Sequence, residues 1–153
     1  MRTILLFVFS MSIIPTLKSQ EVLWEGNLDN FEIKILKDST GCAVGYAEYE
    51  GTQSIIWRSL NRVQSIREVK MFERNKVVIV YGTSFNIFYC LVESDTSGWR
   101  PVMGSKICTL NGTKPVTVEV QRYNRILLTN DNVVELIQYD TDKLTEERTI
   151  LKM

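Results

Sequence analysis

The sequence predicts an all-β fold: an antiparallel meander of about three four-stranded units, either propeller-blade-like or pseudo-threefold and trefoil-like. A lipocalin-type barrel or a β-sandwich is the alternative architecture. Three observations carry this expectation. Apolar and polar residues alternate with a period of two, turn-forming residues interrupt them at roughly ten-residue spacing, and a segment of about fifty residues recurs along the chain.

The first element is a leader rather than a strand. Arg2 supplies a positive start, Ile4 to Ile14 form an uncharged apolar run, Pro15 breaks it, and the polar stretch ends in the small side chain of Ser19. As a helix that run would be about 17 Å long, too short for a hydrocarbon core of ~30 Å. A secretory signal peptide over residues 1–19 is therefore expected, with cleavage after Ser19 and a secreted, extracellular β-rich domain over 20–153. No membrane insertion is expected of that domain.

Strands follow. Phe31, Ile33 and Ile35 alternate with Glu32 and Lys34, and Asp38-Ser39-Thr40-Gly41 then turns the chain into Cys42 to Tyr49. Gly51 and Gly82 stand where two-residue turns need positive φ, and Asn130-Asp131 can serve the same purpose. Asn75 and Asn124 mark two further tight turns, and Ser94 to Gly98 a hairpin. Some twelve short strands result.

The repeat is carried by Ser59-Leu60-Asn61, which recurs as Thr109-Leu110-Asn111, and by Val69 to Cys90, which aligns without gaps to Val118 to Tyr139. Units over about 59–108 and 109–153, with a weaker copy over 21–58, are expected. In each clear copy the second strand is apolar on both faces, as in Val77 to Tyr81 and Ile126 to Leu128, whereas the fourth is mixed, as in Leu144 to Ile150. A strand apolar on both sides must be covered on both sides, so the units should stack face to face with the fourth strand toward solvent. In rhythm, Ile126 to Ile150 resembles a blade of the WD or kelch type, without the WD dipeptide or the paired glycines. Three blades cannot close a ring, which needs 4 to 8. Half of a six-bladed homodimer, or a trefoil-like monomer, would meet that difficulty.

Three cysteines, Cys42, Cys90 and Cys108, would meet an oxidising compartment after export, so one disulfide and one spare thiol are expected. Cys90 with Cys108 and the two pairings that use Cys42 all stay open. Asn111-Gly112-Thr113 is the one N-x-[ST] triplet and makes Asn111 the glycosylation candidate.

Chemistry is limited mainly by what is missing. The chain contains no histidine, which removes Ser-His-Asp and Cys-His catalysis and every histidine-bearing metal site. It contains no phosphate-cradling glycine motif and no C-x-x-C. Asp140 with Asp142 reads as a polar turn, and Glu48 with Glu50 or Glu146 with Glu147 as solvated surface. No catalytic, metal or cofactor site is expected, and the chain is not expected to be an enzyme. Losing Arg2 and Lys18 would leave two more acids than bases, which is not the footprint of a nucleic-acid binder.

What remains for recognition is aromatic: Trp99, after the hairpin turn, is the leading candidate, with Trp24 near the new N-terminus and Trp57 in the apolar run Ile55-Ile56-Trp57. The functional expectation is a secreted, non-catalytic protein that binds an extracellular protein or glycan. The alternative is a lipocalin-like extracellular carrier of a small apolar ligand, although the G-x-W signature of lipocalins is absent.

Overall fold

The computed structural model describes residues 20–111 and 115–153. The expected leader, residues 1–19, lies outside the described residues, as do Gly112 and Thr113 of the glycosylation triplet. The described chain is all-β, without a helix, and its strands form three antiparallel four-stranded sheets in sequence order. The first sheet holds β1 (Glu21–Leu28), β2 (Phe31–Lys37), β3 (Cys42–Tyr49) and β4 (Thr52–Arg62). The second holds β5 (Ser65–Phe72), β6 (Lys76–Gly82), β7 (Asn86–Asp95) and β8 (Gly98–Thr109). The third holds β9 (Val116–Arg122), β10 (Arg125–Asn130), β11 (Val133–Asp140) and β12 (Thr145–Lys152).

Each sheet is a simple meander because its connections are tight turns. Glu50 and Gly51 both take positive φ (49° and 77°), the two-residue geometry whose twist matches that of the flanking strands. Between β5 and β6 the positive values fall on Glu73 and Arg74. Asn75 instead pins the hairpin to β7, its carbonyl accepting from Ser94 N at 2.8 Å. Gly82 does not take the positive φ that its sequence context predicts. It ends a buried strand, where a Cβ would stand 3.1 Å from Ser65 Oγ. The turn beyond it is closed by Thr83, whose N donates to Asn86 O at 2.9 Å while its hydroxyl accepts from Asn86 N at 3.1 Å.

The core lies in two layers. Ile33, Ile35, Ile56 and Trp57 of the first sheet meet Val77, Ile79, Cys90 and Val92 of the second. On the other face of the second sheet, Val78, Val80, Tyr89 and Leu91 meet Ile126, Leu128, Ile137 and Tyr139 of the third. The second sheet is thus covered on both sides, which is why β6 is apolar at every position from Val77 to Tyr81 and buried throughout. The outermost strand β12 is exposed along its whole length.

Neither layer joins the first sheet to the third, so the trefoil-like closure does not form, and no barrel closes. The arrangement is a row of three blades. The first strands β1, β5 and β9 approach one another on one edge of the row, and β4 approaches β8 on the other. The link from the first blade to the second is the two residues Val63 and Gln64, held by Val63 N to Gly41 O (2.9 Å) and Gln64 N to Gly82 O (2.8 Å). The repeated tripeptides close a sheet rather than open one: Ser59-Leu60-Asn61 lies in β4, and Thr109 ends β8. The units therefore break near residues 63 and 111, a few residues later than the repeat alone suggests.

The expected disulfide is absent: Cys42, Cys90 and Cys108 are all free. The hairpin closes on Asp95 and Gly98 and is bulged at Leu91/Val92, so Cys90 pairs with Gly104 and Cys108 with Ile87. Cys90 faces the first sheet, whereas Cys108 packs on the layer facing the third. The sheet itself stands between the two sulfurs. Cys42 sits on β3 opposite Arg62, in another sheet.

Candidate functional site

All three tryptophans fall in one layer, between the first and second sheets. Trp57 is buried and packs on Tyr81 with ring centroids 5.0 Å apart. Trp24 lies over Gly26, where an added Cβ would come within 2.7 Å of the indole. Trp99 is half-buried and edge-on to Phe31 at 5.7 Å, and Phe31 in turn meets Tyr49 at 5.2 Å. Trp99 and Trp24 are thus each partly buried at the edges of the layer, and Trp99 also borders a shallow cleft with Phe31 and Tyr49.

Trp57 differs from the other two because it forms the floor of a cleft of about 390 Å3 between β4 and the β7–β8 hairpin. Tyr81, Phe88 and Met103 line it, and Leu60 stands at its mouth with 94% of its surface exposed. Tyr81 and Phe88 stack at 5.5 Å with planes 15° apart. Phe88 and Asn61 are shared with an adjoining shallow depression beside Phe85, itself 72% exposed. Cleft and depression therefore form one surface.

This surface carries little charge. Burial pushes the Tyr81 hydroxyl and the Cys90 thiol each up to about 12, so both are neutral at physiological pH. Cys90 is accordingly no nucleophile. The cationic side chains at the rim are Arg58 and Arg62.

A second cleft, about 660 Å3, opens between β8 and the third sheet, and Cys108 and Asn111 lie on its wall. Its character is different. Arg148 spans it, donating to Ile107 O at 2.8 Å and Lys106 O at 3.2 Å and pairing with Glu146 at 2.7 Å. That cation is consumed in holding β12 to β8. No such strut crosses the Trp57 cleft among the described residues.

The carboxylate pairs are turn and surface groups, apart from Glu146, which pairs with Arg148 beside the second cleft. Asp140 Oδ1 accepts from Asp142 N (3.1 Å) and Lys143 N (3.0 Å), the geometry of a polar turn. Glu48 and Glu50 are exposed beside the Glu50-Gly51 turn. Among the described residues no cluster of three or more potential ligands could hold a metal ion.

Sequence reasoning missed Leu60 and Phe85. The contrast shows only in the structure: Leu110, the repeat counterpart of Leu60, tucks against the second core layer, whereas Leu60 projects into solvent. A break in the pattern of a repeat marks a position that packing does not explain. No protein-family model matches the chain, and no curated protein matches it.

Proposed function

We propose that the chain is a non-catalytic recognition protein that binds an extracellular protein through the Trp57 cleft and its rim. The observation that carries this is the pairing of two large exposed apolar side chains, Leu60 and Phe85, with an aromatic cleft between them and the core. An apolar patch of this kind costs solubility unless a partner covers it, and apolar anchors seated in pockets supply most of the affinity in protein interfaces. A protein segment is favoured over a glycan. Sugars stack on open ring faces, and here the Trp57 and Tyr81 rings are buried while the exposed groups are Leu60 and one Phe.

In the same reading the chain is exported, loses residues 1–19, and carries a glycan on Asn111, which is exposed just beyond β8. The carrier reading keeps one point in its favour: 390 Å3 lies within the range of small-molecule sites. Native mass spectrometry of the purified protein separates the two, since a retained mass of a few hundred daltons would replace the recognition reading by the carrier. Binding to cell-surface and matrix proteins should be lost in Leu60→Asp/Phe85→Ser. The melting of that variant should stay within about 0.5 kcal/mol of the parent, because both side chains are exposed. Binding that survives the double substitution would move the site elsewhere.

A further inference from the structure

We infer that the two outer faces of the three-blade row, on the first and third sheets, bind each other between two copies of this chain and close a ring of six sheets. The second sheet shows what a blade of this protein requires, since both of its faces are covered. The outer blades satisfy that requirement on one face only. On the third sheet Leu127 pairs with Leu136, and both point away from the second sheet, with Val134 diagonal to them. On the first sheet Leu36 pairs with Val44, which its neighbours already bury, and Tyr46 with Ile55, which is 46% exposed. Leu127 belongs to the β10 run that the sequence marks as apolar on both faces, and Leu36, Val44 and Tyr46 lie on the two central strands of the first sheet, with Ile55 on its edge strand β4.

Charge selects the pairing. At the end of the first sheet that carries its β1–β2 and β3–β4 turns, one cross-strand row runs Asn27, Glu32, Glu48, Gln53, with two carboxylates and no cation. The corresponding end of the third sheet carries the row Arg122, Arg125, Gln138, Glu147, with two guanidiniums on its first two strands. Successive blades of a propeller align the same ends, so a first-sheet face laid on a third-sheet face brings Glu32 and Glu48 to Arg122 and Arg125. Two first-sheet faces with these ends matched would set the acidic row on itself, whereas the third-sheet face sets guanidiniums against it, so the contact is head-to-tail. Head-to-tail contacts either run on as open chains or close, and three blades from each of two copies give six, within the 4 to 8 that close. The two-fold axis then makes both seams identical.

The test is a mixing experiment on the product of the full-length chain, with mass read by sedimentation and native mass spectrometry. The parent should have twice the monomer mass. Glu32→Arg/Glu48→Arg alone and Arg122→Glu/Arg125→Glu alone should each weaken self-association by about 100-fold, since every seam then faces like charge. A one-to-one mixture of the two variants should restore the dimer, because one seam becomes parental and the other fully reversed. Arg122→Glu by itself, at an exposed position, gives the same direction without burdening Arg125. A parent that is monomeric up to its solubility limit overturns the inference, as does an open-ended polymer. A dimer indifferent to both variants, or variants that do not restore each other, overturns it equally.

Discussion

Lys70 and Val120 stand fifty residues apart, one repeat period, and are joined directly: the Lys70 ammonium donates to the Val120 carbonyl at 2.7 Å. The adjacent carboxylate of Glu68 accepts from the amide of the same Val120 at 2.7 Å and pairs with Lys70 at 2.8 Å. Two side chains of β5 thereby satisfy both backbone groups of one residue on β9. The grip works with Arg148 at the opposite edge, so the third sheet is fastened to the second along both margins.

Removing half of that grip should loosen the third sheet. In Glu68→Ala the Val120 amide loses its acceptor, at a cost of about 1–3 kcal/mol. Urea denaturation should report a lower midpoint. Lys70→Ala should cost less, because Lys70 is more exposed than Glu68 and water can replace it at the carbonyl.

Thiol chemistry should separate the three cysteines. Burial pushes the Cys90 thiol up to about 12, while Cys42 and Cys108 are only partly covered. An aromatic disulfide reagent near pH 8 should label Cys42 and Cys108 in the folded chain and reach Cys90 only after unfolding. Three equally fast thiols, or an intact Cys90–Cys108 disulfide in the purified protein, would contradict the placement of these two residues on opposite faces of one sheet.

Stability should be flat through neutral pH and fall at both ends. With no histidine, no side chain of ordinary pKa titrates between about pH 5 and 8. Tyr81 and Cys90 are raised to about 12, and burial raises Tyr89, Tyr123 and Tyr139 further. An acid raised in the folded state binds its proton more tightly there than in the unfolded chain. Its contribution is therefore complete below the ordinary values of 9.0 and 10.0 and is lost as pH climbs toward 12. In the acid range Asp38, Asp95 and Asp140 are lowered by hydrogen bonds within their turns, so their contribution is present above 3.8 and fades below it. Absorbance of tyrosinate near 295 nm should rise together with loss of β-sheet circular dichroism. Ionisation of all six tyrosines with the fold intact would refute the packing of the two layers.

Gly104 should not tolerate a side chain. It pairs with Cys90 on β8, and an added Cβ would stand 3.0 Å from the Tyr89 carbonyl oxygen, a backbone atom that cannot swing aside. Gly104→Ala should cost about 1–3 kcal/mol in thermal or urea unfolding. Gly51→Ala meets no neighbour and is opposed only by its positive φ.

Much of the fold was legible because side chains alternate across a strand. The patterns Phe31-Ile33-Ile35 and Val77 to Tyr81 mark β2 and β6 without reference to any other part of the chain. The Glu50-Gly51 turn was legible for the same local reason. The cleft was not. Trp57 carries its burial in its neighbours Ile55 and Ile56, but nothing near Leu60 in sequence distinguishes it from its covered counterpart Leu110. Gly82 shows the opposite error, since its environment is set by Ser65 on the adjacent strand.

The order of strands, their antiparallel sense and the division into three units follow from the sequence by itself, because each depends on contacts made within a few residues of a turn. Which face each cysteine occupies, whether the units close into a threefold or stand in a row, and which apolar residues are left uncovered were decided only in three dimensions. The physical reason is register: a single bulge, as at Leu91/Val92, shifts the pairing of every residue beyond it. Every such shift falls between an edge strand and its neighbour and none in the central pairs β2–β3, β6–β7 and β10–β11, so where a strand bends is decided by its place in the assembled sheet rather than by any segment alone.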